Sequence, residues 1–200
     1  MTEELMARFI AYQRQLTGRE YLSALILYLA APTIAGDKPA SLLSFVPNRR
    51  RLDLLWQEHR RELARRLGRS YGLSLWEMPR RSGGMAVLFH HRLRLAAVLA
   101  ERDNRSFLAE SGYPAGLGVM GCLSLLRLRF QNGPFPHEAG IFLGIPAADV
   151  RGFIANRGRN CLFSRYWKVY HQPEAAAATF ARFDRARETV LRALLADGGE

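Results

Sequence analysis

A histidine and a glutamate stand side by side at His137-Glu138, with Lys168 and Tyr170 on an aromatic stretch downstream. Imidazole and carboxylate are common proton carriers near neutral pH. Neighbouring helical positions point in different directions, so the pair acts as acid and base only if another group folds against it. In that reading Lys38 anchors a small anionic substrate. In the competing reading His137 is a structural residue at a helix start.

A second candidate is Gly36-Asp37-Lys38-Pro39-Ala40-Ser41. Proline suits the first position of a helix, and a helix N-terminus offers unpaired N–H groups and a positive dipole end to an anion. Lys38 adds a charge there and Ser41 a hydroxyl. The glycines of a P-loop are missing, and Asp37 acting as a plain cap accounts for the same residues. A third candidate is a basic face on which Lys38, Arg157, Arg159 and Lys168 converge near the helical corner. The expected ligand-binding residues are therefore Lys38, Ser41, Arg157, Arg159, Lys168 and Tyr170, and the catalytic candidates are His137 and Glu138. Nothing has metal-ligand spacing such as CxxC, and neither a metal nor a cofactor is expected.

These groups depend on the stretch 134–157. In HEAGIFLGIPAADVRGFI, Gly140 lies four residues before Gly144, Val150 six after it and Ile154 four later. Two short helices crossing at Gly144 would bury one apolar seam at this spacing. A DNA-reading version needs basic or amide side chains on the exposed face of the second helix. That face offers Asp149, which repels phosphate, and Arg151 as a single cation. The motif is good as a helical corner and poor as a DNA reader.

Around this corner the chain reads as mostly helical. Apolar periodicity predicts helices over 3–16, 20–30, 49–67, 92–100, 104–111, 117–130 and 173–195, with another opening at Pro39. The stretch 117–130 reads as the most buried of them. LSLWEM (73–78) and MAVLFH (85–90), separated by a Gly-containing loop, predict an antiparallel hairpin. Tyr166–Tyr170 supplies the third strand beside it. The fold class is α+β: one domain, its core about 16–190, with a small three-stranded antiparallel sheet covered by helices.

The chain has 200 residues and 48% hydrophobic content, enough for one sizeable core. Its formal net charge is +11, and Lys38 and Lys168 are its only lysines. The surplus favours nucleic acid, phosphorylated ligands or acidic protein surfaces, although arginines that merely solvate helix faces would produce it too. Cys122 and Cys161 make no disulfide framework. The start is not signal-like, and the longest apolar run, Leu22–Pro32, is too short for a bilayer, so a cytoplasmic protein without membrane contact is expected.

The strings APTIAGDKPASL (31–42), GYP (112–114) and FPHEAGIFLGIPAADVRGFIANRGRNC…YWKVY resemble the bacterial DUF3793 family, over about Leu16 to Arg187. The resemblance implies a cytoplasmic bacterial protein and no known activity. Positions matching the family pattern are Lys38, Pro136, His137, Glu138, Gly144, Asp149, Gly152, Gly158, Trp167, Lys168 and Tyr170. Ala30 stands where relatives usually carry cysteine, and Phe45 where many carry another. A thiol activity in relatives would therefore be lost here. Gly144-Ile145-Pro146 replaces a more usual Gly-Tyr-Pro, and Arg165 a glycine.

The leading expectation is a non-catalytic binding or regulatory module that recognises an anionic partner, nucleic acid or a phosphorylated ligand, through the basic face near the corner. The alternative is an enzyme for a small anionic substrate using His137, Glu138 and Lys38. A protein–protein adaptor is the third reading.

Overall fold

The computed structural model describes residues 3–48 and 50–197. Two helices, α1 (Glu3–Gln15) and α2 (Gly18–Leu29), lead through the short α3 (Ala31–Ile34) into β1 (Ala40–Phe45). The long α4 (Leu52–Tyr71) precedes the hairpin β2 (Ser74–Pro79) and β3 (Met85–His90). Helices α5 (Arg92–Ala100), α6 (Arg102–Glu110) and α7 (Val119–Asn132) follow. The corner is α8 (Ala139–Phe142) and α9 (Ala147–Ala155). A two-stranded ribbon, β4 (Phe163–Ser164) and β5 (Lys168–Val169), leads to α10 (Pro173–Asp197).

The molecule is thus α+β, with a three-stranded antiparallel sheet ordered β1-β3-β2. The third strand is not the expected one. Residues 40–45 form it, pairing from Ala40↔His90 to Phe45↔Met85. The segment after Pro39 is therefore a strand and not a helix. Ser41, Leu43 and Phe45 face one side while Ala40 and Leu42 face the other, a period of two that Pro39 before it does not disturb. The YWKVY segment instead pairs only with Phe163–Ser164, as Phe163↔Val169 and Ser164↔Lys168, and never joins the main sheet.

Alternation along β3 divides the core. Val87 and Phe89 face α2 and α4, where Trp56 stacks on Phe45 at 4.5 Å and meets Phe89 edge-on at 5.9 Å. The Trp56 indole N–H donates to Glu77 Oε1 at 2.7 Å, which satisfies the one polar atom of that buried ring. Ala86 and Leu88 face α5, α7 and the corner. Helix α7 is less buried than its composition predicts. Met120 and Leu128 are exposed, Cys122, Leu123, Leu126 and Phe130 are buried, and Val119 and Leu125 pack part-buried against the core. A smaller aromatic cluster, Phe163, Tyr166 and Trp167 with Val169 and Phe180, fixes the ribbon to α10.

Candidate functional site: the cleft at the helical corner

The corner is built as its spacing requires. A Cβ on Gly140 would lie 2.9 Å from Val150 Cγ2, so only glycine lets the two helices close. Gly144 has φ +75, and a Cβ there would meet Pro39 Cδ at 2.7 Å. The loop before β1 is therefore seated directly against the corner. The seam ends at Val150; Ile154 is exposed.

Asp149 joins the ribbon to α9. It is buried, and its oxygens accept from the Trp167 indole N–H and the backbone N–H groups of Tyr170 and His171, each at 2.8 Å. A carboxylate in the first turn also complements the helix dipole. The base of the Tyr170 side chain packs on Gly152, where a Cβ would be 2.5 Å from its Cγ. Tyr170 is thus a packing residue, and its hydroxyl is buried with no hydrogen-bond partner.

Between the corner and the ribbon lies a cleft of about 420 Å³, with Phe135, Phe153 and Trp167 among its walls. Its polar rim is His137, Ser164, Arg165 and Lys168. The exposed His137 ring packs 5.4 Å from Phe153. Lys168 Nζ donates to the Gly158 carbonyl at 2.6 Å and stands 5.9 Å from the Phe153 ring. Arg165 pairs with Asp184 at 2.7 Å. Arg157 and Arg159 are exposed on the loop around Gly158, and neither meets a carboxylate among the described residues. Asp149 is the one carboxylate lining the cleft, and it is already spent on its N–H donors.

The other expected residues lie elsewhere. Ser41 is buried on the strand, its hydroxyl bonded to that of Thr33 at 2.8 Å, and there is no helix N-terminus at 39–41 to hold an anion. Lys38 does not line the cleft. Its ammonium sits 5.9 Å from the Phe183 ring, and burial, helped by the charge of Arg187, lowers its pKa to about 8. Glu138 is buried and paired with Arg129 at 2.5 Å, with the Tyr113 hydroxyl donating to it at 3.4 Å. Burial, and then the Glu138 carboxylate, push the Tyr113 phenol well above its usual range. Arg129 also donates to the Ser111 carbonyl and covers the Tyr113 ring. An acid/base site of His137, Glu138 and Lys38 would need all three in one hollow, and only His137 is there. Arg151 is likewise bound to Glu110 and stacked over Phe107, which removes the one cation that α9 could offer to DNA. Among the described residues no cluster of His, Cys, Asp and Glu is placed to hold a metal, and no helix is long and apolar enough to cross a membrane.

The sequence strings singled out above converge in pairs. GYP meets PHE at Arg129, the DV of α9 meets YWKVY at Asp149, and the proline of GDKP meets the glycine of FLG. A family profile described as a protein of unknown function, DUF3793, matches residues 26–198. The chain belongs to the DUF3793 family. No curated protein and no solved structure matches it at a significant level. Ala30 is fully buried between α2 and α3. Sequence reasoning had no reason to single out Phe135, Phe153 or Arg165 as lining residues. The exposed phenylalanine in Pro134-Phe135-Pro136 was the one available signal, since a large apolar ring held between prolines has no helix to bury it.

Proposed function

We propose that this DUF3793 chain is a non-catalytic binding module, and that the corner cleft takes an anionic ligand with a planar or apolar body, of the phosphorylated class. The supporting observation is an aromatic hollow with a cationic rim and no carboxylate left free. A body ring fits against Phe153 and Trp167, while the anionic group faces Lys168 with Arg157 and Arg159 beyond it. The volume falls within the roughly 300–1,000 Å³ of small-ligand sites. Each rim cation is worth most where the aromatic walls exclude water.

The probe is a fluorescent trinitrophenyl-ATP, displaced by unlabelled ATP and by adenosine. Saturable binding at low salt, displaced by ATP far better than by adenosine and weakened about tenfold or more by Lys168→Ala, is expected from the removal of one charge-assisted hydrogen bond. Absence of saturable binding at low salt, or binding indifferent to Lys168→Ala, overturns the reading.

A further inference from the structure

A second hollow adjoins the first. It measures about 480 Å³ and is formed by Arg80, Arg81 and Ser82 at the tip of the β2–β3 hairpin with Phe130, Gly133, Pro134 and Phe135. Phe135 lines both hollows. Its ring is 52% exposed although it rests edge-on against Phe130 at 5.3 Å, so the protein displays it rather than burying it. The hairpin tip is held in place. Arg81 N–H donates to the Phe130 carbonyl at 3.2 Å, and Arg80 N–H to the Gly84 carbonyl at 3.2 Å. Of the two guanidiniums, Arg80 donates to Ser44 Oγ at 3.0 Å, and neither meets a carboxylate among the described residues.

We infer that the ligand is single-stranded nucleic acid laid across both hollows, with Phe135 as the stacking platform between them. This rests on the proposed use of the corner cleft and extends it. An aromatic face flanked by cations on both sides matches a chain that alternates planar bases with phosphates. Arg80 and Arg81 take phosphate on one side of Phe135, and Lys168 with Arg157 and Arg159 on the other. No free carboxylate lines either hollow to repel the backbone. The strand must be single because a base reaches Phe135 only when unstacked from its duplex neighbours. A duplex would need a reading helix, and α9 has its arginine tied to Glu110.

The test is fluorescence anisotropy with end-labelled twelve-nucleotide oligo(dT) and oligo(U), and a duplex of equal length, over a salt series. The single strands are expected to bind more tightly than both the duplex and the mononucleotide. Phe135→Ala should weaken them by about tenfold, as removing the support of one stacked base does. Arg80→Ala combined with Arg81→Ala should flatten the log–log salt slope by about 1.4, since each of the two phosphates no longer neutralised accounts for about 0.7. A control of equal charge, Arg66→Ala with Arg69→Ala on α4, should change neither quantity. Circular dichroism melts confirm that these variants fold. If the control matches the Arg80/Arg81 variant, or Phe135→Ala binds normally, the inference is overturned. If trinitrophenyl-ATP binds in a Lys168-dependent way while the oligonucleotides bind no tighter, the inference fails and the corner reading stands. If no probe binds, both fail.

Discussion

Replacing Asp149 by alanine tests the arrangement most directly. The carboxylate receives one indole and two backbone N–H groups at 2.8 Å, from Trp167, Tyr170 and His171. A hydrogen bond to a charged acceptor contributes about 1.5–3 kcal/mol, and a buried donor left unpaired costs about 1–3 kcal/mol. Water entering through the cleft can re-solvate the Trp167 N–H, so that bond belongs at the low end. The two backbone donors belong to the residues just after β5, and together the loss comes to about 3–5 kcal/mol. That is a large share of the roughly 5–15 kcal/mol that holds a domain folded. Asp149→Asn keeps one carbonyl for the backbone pair but turns an NH₂ toward the indole, and should cost about half as much. Urea denaturation followed by far-UV circular dichroism measures both, and Trp167→Phe in each background isolates the indole bond through a double-mutant cycle. If Asp149→Ala costs less than about 1 kcal/mol, Asp149 does not hold the ribbon, and the cleft wall owes its position to aromatic packing alone.

Gly152→Ala should destabilise by about 2–3 kcal/mol, as overpacking does, because its Cβ would meet the base of the Tyr170 ring and Tyr170 is tethered through its own N–H; a thermal melt within a degree of wild type would contradict this. His90 gives a pH signature. It is buried, its Nδ1 has no partner, and burial, with a smaller push from His91, lowers its pKa to about 4. The unfolded chain binds the proton near pH 6.5 and the folded one only near 4, so the unfolded form carries more protons in between. Stability should therefore be full above pH 6.5 and fall as pH drops toward 4, by an amount on the order of 3 kcal/mol. Urea midpoints from pH 7 to 4 measure it, and His90→Leu should remove this part of the slope.

Much of the scaffold was legible because local and tertiary signals agree. The hairpin strand Met85–His90 and the helix Arg92–Ala100 lie where their patterns place them. The stripe Leu52, Leu55, Trp56, Leu63 and Leu67 packs on one side of the sheet. The corner glycines were legible too, since close crossing leaves no other residue type. ASLLSF was misread because Pro39 opens a helix as readily as it precedes a strand, and only pairing with β3 decides. YWKVY was misread because alternation marks exposure, not partnership. Its Tyr166 and Trp167 rings pack on α10 while Tyr170 packs on Gly152 of α9, and its strand partner is only two residues long. The site was harder for a related reason. Charge locates cations but not the carboxylates that neutralise them, so Arg151 counted as free until Glu110 arrived from 41 positions away. The cleft walls come from two runs, 135–153 and 164–168, and no spacing rule links them.

The last helix has a consequence for how the molecule is made. Over 25 residues α10 reaches back to α1, α2 and α3, closing Leu191 over Leu5 and Phe9 and setting Phe180 under the ribbon. During synthesis the apolar sides of α1 and of the ribbon wait uncovered until α10 has left the ribosome. A stalled or clipped chain shorter by those turns would carry sticky flanks at both places, a natural target for chaperones and proteases.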